Sequence, residues 1–144
     1  MLALQEAGVG IMTRSSFWEC EPVPPSDQPW YVNAVIQVET NLGPHALMAL
    51  LLEIEQSLGR ERRETGAARI IDLDLLSYDN FIMDSEDNHG RSLKLPHPQL
   101  QQRRFVLAPL TEIEPDWLHP SLQMTSKELL AALDKGGKVR KLDA

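Results

Sequence analysis

The stretch ARIIDLDLLSYDN, residues 68 to 80, decides how the chain is read. Its apolar residues Ile70, Ile71, Leu73, Leu75 and Leu76 predict a strand over about residues 69 to 78. Two carboxylates, Asp72 and Asp74, interrupt that run. Strand residues two apart point the same way, with Cα atoms about 6.6 Å apart. The aspartates therefore share one face, and Ile71, Leu73 and Leu75 share the other. At an effective dielectric near 20, two charges ~6 Å apart repel by about 2–3 kcal/mol. One answer is a sheet with a wet face, where water and distant lysines suffice. The other is a divalent cation. Two carboxylates on one rigid segment can hold Mg²⁺, which keeps its waters and completes its octahedron with substrate phosphates.

The upstream flank favours the cation. GRERRETGAAR brings Arg60, Arg62, Arg63 and Arg69 within ten residues of one another. Acidic metal ligands beside guanidinium groups are what polyphosphate chemistry requires: metal on the bridging oxygens, arginines clamping the remaining charge. The plainer reading of the arginines is a solvated loop paired with Glu61 and Glu64. Strict alternation sets Arg69 on the face opposite Asp72, so a bulge or a strand start after Arg69 is needed to bring it over. No Gly-rich phosphate loop of either common pattern occurs, so a nucleotide would be held by side chains and metal.

Further upstream, NLGPHALMALLLEIEQSLGR has helical period. Pro44 suits the first helical position, Leu47, Leu51, Ile54 and Leu58 form the stripe, and Gly59 is the expected stop. YVNAVIQVET reads as one strand, as does IMTRSSFWECEPV. EPVPPSDQP, with four prolines in nine residues, is a loop between them. MLALQEAG looks like the end of a helix with Gly8 as its C′ residue. Downstream, FIMD is a short strand, SEDNHGRS a polar loop, a short helix lies around Leu100, and 105–110 is an apolar segment. TSKELLAALDK is a helix with a Thr125–Glu128 capping box. Residues from about 135 to 144 read as a tail. The sum is a single α+β domain, 1–144, with helices on one face of a sheet.

Bulk properties narrow the function. The 144 residues are 42% hydrophobic and 24% charged, enough for one core. A net charge of −7 argues against nucleic acid or an anionic membrane as the main partner. The one cysteine, Cys20, excludes a disulfide framework and fits a reducing compartment, and it lacks the spaced partners of a zinc site. No apolar run approaches the roughly 20 residues of a membrane span, and the start does not read as a signal peptide. A cytoplasmic protein is expected.

Taken together, the motifs resemble the 6-hydroxymethyl-7,8-dihydropterin pyrophosphokinase family of the folate pathway. GAARIIDLDLL is similar to the family's R-x-x-D-L-D signature. SSFWECEPV, DQPWYVNAVI, IEQSLGRER and LPHPQLQQRRFVLAPLTEIEP resemble its other blocks, in family order, from about residue 1 to 122. The resemblance implies a ferredoxin-like sandwich with a mostly antiparallel sheet. It implies transfer of the β,γ-pyrophosphoryl group of ATP to the pterin hydroxymethyl oxygen, releasing AMP. In that scheme Asp72 and Asp74 bind two Mg²⁺. Arg60, Arg62, Arg69 and Arg103 steady phosphate charge, His97 donates to it, and Leu75 lies beside the nucleotide. Glu55 orients the arginines. Asn33 bonds the pterin's polar edge, Tyr31 and Phe105 form an aromatic slot, and the backbone near Cys20 and Val23 lines it.

The family's opening strand, ending in G-S-N-x-G, is not found, so the expected sheet lacks it or borrows one from a partner. Ala67-Ala68 replaces the usual Gly-Pro, and Pro98 stands where relatives often carry an aromatic. A monomer or weak homodimer is expected. The alternative to the enzyme is an inactive, N-terminally truncated fragment or pseudoenzyme that binds nucleotide without turnover. A nucleotidyl transferase using the same acid pair is a third reading.

Overall fold

The computed structural model describes residues 2–22, 27, 29–64, 72–133 and 138–142, with the side chains of 59–64 excepted. The chain opens with helix α1 (Leu2–Glu6), closed by Gly8 at φ 90°, the left-handed conformation expected of a C′ glycine. Two strands follow where one was expected: β1 (Gly10–Arg14) and β2 (Trp18–Cys20). The next expected strand also divides, into β3 (Tyr31–Asn33) and β4 (Ile36–Glu39). Both divisions occur at one point. β1 pairs with β4 and β2 with β3, antiparallel, and between these ladders Ser15 and Val35 face each other. The Ser15 N–H donates to the Val35 carbonyl and the Val35 N–H donates to Ser15 Oγ, both at 2.9 Å. A buried serine hydroxyl takes one ladder position, and the pairing divides there into two ladders.

Helix α2 (Pro44–Glu64) has Pro44 at its first position, and Leu47, Leu51 and Ile54 are buried along its stripe. It does not stop at Gly59. An interior glycine costs only about 0.5–1 kcal/mol, and the Arg/Glu run after it favours helix. The strand expected at 81–84 lies instead at β5 (Met83–Glu86), and it pairs with an unexpected strand, β6 (Ser92–Leu95), so that the hairpin takes in both ends of the expected polar loop 85–92. A 3-10 turn (Leu100–Gln102), helix α3 (Arg104–Ile113) and helix α4 (Ser126–Ala132) complete the helical part. The capping box on α4 is present in both directions, Glu128 N–H to Thr125 Oγ1 and Thr125 N–H to the Glu128 carboxylate. The presumed tail contains strand β7 (Val139–Lys141), which pairs with β2 and gives the order β3-β2-β7. A terminal tripeptide is too short for periodicity to reveal, and its place is set by the edge it joins.

The architecture is α+β, with three small antiparallel sheets among the described residues rather than one. The largest revision concerns the decisive segment. Residues 72–78 form no ladder. The Leu73 N–H is taken by the Glu55 carboxylate, and the Leu76 carbonyl accepts the His97 N–H at 2.8 Å. A strand needs a neighbour's ladder, and these backbone groups are satisfied by a side chain and a loop instead. The alternation survives: Asp72 and Asp74 are exposed, Leu73 and Leu75 half-buried. Leu73 and Leu75 pack on the cluster of Leu4, Val9, Leu47, Leu51 and Ile54. Leu76 packs on the second cluster, built by Val35, Leu100, Val106, Leu107, Leu110 and Leu129. The acid pair thus sits where the two cores meet. No helix among the described residues is long and apolar enough to cross a membrane.

Glu112, in the last turn of α3, ties that helix to the ribbon. Its carboxylate accepts from the Ser16 N–H and Trp18 Nε1 at 2.9 Å and from Ser16 Oγ at 2.6 Å, with Lys141 Nζ at 3.5 Å. Partial burial pushes this carboxyl up, but the donors outweigh it and hold it down at about 2. A carboxyl whose pKa falls on folding stabilises the fold above its ordinary value of 4.5 and loses that contribution as pH drops through about 2. The thermal midpoint should therefore fall between those two pH values. In Glu112→Gln the fall should be shallower; equal slopes in calorimetric scans would contradict this.

Candidate active site

Asp72 and Asp74 project from the extended segment next to the middle of α2. Glu55, on that helix, receives the Leu73 N–H that lies between them. Burial raises its pKa, the Leu73 hydrogen bond opposes this, and the charges of Asp72 and Asp74 raise it further. Three carboxyls therefore feel one another here. No group of three or more His, Cys, Asp or Glu among the described residues forms a preassembled cage. The expected arginine partners of Glu55 lie outside the described side chains.

Arg103, just before α3, provides the facing cation. Its Nη1 is 3.9 Å from Asp74 Oδ2, its Nη2 donates to Gln99 Oε1, and its guanidinium lies 5.4 Å from the Phe105 ring centroid. Gln99 was not singled out from sequence, although its spacing of four from Arg103 was the available signal. His97 completes this edge. Its Nδ1 accepts the Gln99 N–H at 3.2 Å, which fixes the neutral tautomer with the proton on Nε2. Burial lowers its pKa, the Arg103 charge lowers it further, and Asp74 opposes both. The imidazole is a neutral donor near neutral pH.

A second group adjoins the first through Phe105. The Asn33 side-chain amide donates to the Phe105 carbonyl at 2.6 Å. Asn33 is in register with Trp18, and Tyr31 with Cys20, so Cys20, Tyr31 and Asn33 belong to one face of the β2–β3 ladder. Cys20 is buried, with its thiol pushed up to about 11 by burial and then by the Glu19 charge; this is a wall residue, not a nucleophile. Tyr31 is 58% exposed. The structure thus links Asp72, Asp74, Glu55, His97 and Arg103 to Phe105, Asn33, Tyr31 and Cys20. Leu75 faces the first core cluster beside α2. Val23 and Arg69 lie outside the described residues, as do the side chains of Arg60 and Arg62.

A separate cavity of about 200 Å³ lies between α2 and the β5–β6 hairpin, lined by His45, Met48, Ala49, Leu52, Arg91 and Leu93 among others. It is apolar, with Asp87 and Arg91 paired at 2.8 Å on its rim.

Residues 1–115 match the family model described as 7,8-dihydro-6-hydroxymethylpterin-pyrophosphokinase (HPPK). The chain is 38% identical over 130 residues to the 2-amino-4-hydroxy-6-hydroxymethyldihydropteridine pyrophosphokinase of Methylorubrum extorquens, covering 90% of this chain and 78% of that protein. It is 39% identical over 123 residues to the protein of the same name from Haemophilus influenzae, covering 85% and 74%. It is 32% identical over 132 residues to the folic acid synthesis protein FOL1 of Dictyostelium discoideum, covering 92% of this chain but 19% of that one. The acid pair and its facing arginine are thus found in a chain that belongs to the 7,8-dihydro-6-hydroxymethylpterin-pyrophosphokinase family.

Proposed function

We propose that the chain transfers the pyrophosphoryl group of ATP to 6-hydroxymethyl-7,8-dihydropterin, giving the pterin diphosphate and AMP for folate biosynthesis. The observation that supports this reading is the chain of contacts from Asp74 through Arg103 and Phe105 to Asn33, which we read as a phosphate site beside a flat-ring site. The pterin hydroxyl oxygen bonds to the β-phosphorus, the bond from that phosphorus to the α,β-bridging oxygen breaks, AMP leaves, and the hydroxyl proton passes to solvent.

Two exposed carboxylates on one side of an extended segment, with no third ligand gathered among the described residues, suit Mg²⁺, which takes few protein ligands and keeps sites for phosphate. When bound by Asp72 and Asp74, two such ions would supply positive charge to the bridging phosphate oxygens and lower the charge repulsion met by the attacking hydroxyl. The chain's own residues do the rest. Arg103, already braced by Gln99, offers a fixed guanidinium fork to phosphate oxygens. His97 donates its Nε2 proton to another. Tyr31 and Phe105 flank the pterin plane, and Asn33, whose amide nitrogen is committed to Phe105, presents its Oδ1 to the ring's N–H edge.

The α2 cavity is read as the seat of the purine. Met48 precedes Glu55 by two helical turns, about 10 Å, comparable to the reach of an extended nucleotide. The ladders and helices are read as a ferredoxin-like sandwich acting as a monomer or weak homodimer in the cytoplasm. Protein mixed with Mg²⁺, ATP and the pterin should release AMP in a 1:1 ratio with pterin diphosphate, read by phosphorus NMR. ADP in place of AMP, or nucleotide binding without turnover, would overturn the reading.

A further inference from the structure

Helix α3 is attached to the pterin wall at both ends. At its first turn the Phe105 carbonyl holds Asn33 of β3. At its last turn Glu112 holds Ser16, just before β2, and Trp18, the first residue of β2. Trp18 lies directly opposite Asn33 in the ladder, so the two attachments grip the same pair of strands from opposite ends of one helix. The same carboxylate engages Lys141, whose ammonium lies 5.9 Å from the Trp18 ring centroid. That brings in β7, which is pinned on the other face of the ladder by Arg140, 2.8 Å from Glu19 and 5.0 Å from the Trp30 ring. Strand β7 lies beyond residues 1–115, the part the family model matches.

We infer that Glu112 is a positioning residue that sets the width of the pterin slot by fixing the β2–β3 wall, with β7 behind it, at a set distance from Phe105. Glu112 touches neither the acid pair nor Arg103 in the described contacts, so its influence falls on pterin affinity and not on phosphoryl transfer. Three donors converge on one carboxylate. Glutamine keeps one acceptor oxygen for Ser16 N–H and Trp18 Nε1 but loses the charge and turns a donor toward Ser16 Oγ and Lys141, so these hydrogen bonds weaken and rearrange, and the ladder register transmits the shift from Trp18 to Asn33 and from β2 to Tyr31. The inference rests on the reading of Cys20, Tyr31, Asn33 and Phe105 as the pterin slot.

The test is steady-state kinetics with each substrate varied in turn, on Glu112→Gln, Trp18→Phe and Asn33→Ala, each confirmed folded by its thermal transition. Glu112→Gln should raise KM for the pterin roughly tenfold, with kcat and KM for ATP within about twofold of wild type. Trp18→Phe, which loses the indole N–H donor but keeps a smaller aromatic ring, should raise the pterin KM severalfold in the same selective way. Equal changes in both KM values, or a loss confined to kcat, would overturn the inference. So would a pterin KM that does not move. Asn33→Ala reports on the slot separately: an unchanged pterin KM there would count against the slot reading, whatever Glu112→Gln shows. Should Glu112→Gln fail to fold, Ser16→Ala and Trp18→Phe carry the same comparison.

Discussion

Asp74→Ala is expected to lower turnover by at least about 10²- to 10³-fold, the scale on which one preorganised charge-stabilising group acts in phosphoryl and acyl transfer. The same change should leave thermal stability within about 0.5 kcal/mol of wild type, because the Asp74 side chain is 52% exposed and anchors nothing in either core. The pair with Arg103, at 3.9 Å and with the Asp74 side chain about half-exposed, contributes little to stability. Loss of activity without loss of fold separates a metal-binding role from a structural one. Matched stopped-assay kcat values and calorimetric midpoints decide it: full activity would sink the site, and a large drop in midpoint would make Asp74 structural.

Arg103→Ala should cost about as much, lowering kcat/KM for ATP by at least about 10²-fold. Three contacts converge on this guanidinium: Asp74, Gln99 and the Phe105 ring. Arg103→Lys keeps the charge but loses the planar fork and the stacking, so it should recover only part of the loss. Because Arg103 and Asp74 face each other, the double variant Asp74→Ala/Arg103→Ala should lose less than the product of the single losses. Full rescue by lysine would mean that charge alone suffices and would remove the argument from geometry.

How much was legible from sequence differs by element. The amphipathic stripe of α2 was readable because period 3.6 over several turns is a strong signal, and the cap on α4 because Thr125 and Glu128 have fixed spacing. The end of α2 was not, since Gly59 is only a weak stop when strong helix formers follow it. The two long strands were recognised, but not their shared division, because Ser15 Oγ replaces a backbone partner and polar substitution in a ladder leaves no periodic trace. Residues 72–78 show the converse. Their alternation correctly placed both aspartates on the exposed side, yet alternation records which way side chains point and not whether a neighbouring strand is present. In the site, the motifs marked Asp72, Asp74, Asn33, His97, Arg103 and Phe105. Glu112 lies within a motif, yet its role is not legible there, because its partners Ser16, Trp18 and Lys141 come from sequence positions far apart.

The central claim is that Asp72 and Asp74 hold metal against the triphosphate. Calorimetric titration of ATP into wild type and Asp72→Asn/Asp74→Asn, each with Mg²⁺ and with chelator, addresses it directly. Wild type should bind ATP much more tightly with Mg²⁺ than with chelator, and the double variant should bind it equally weakly in both. A double variant that kept the full Mg²⁺ dependence of ATP binding would contradict the account.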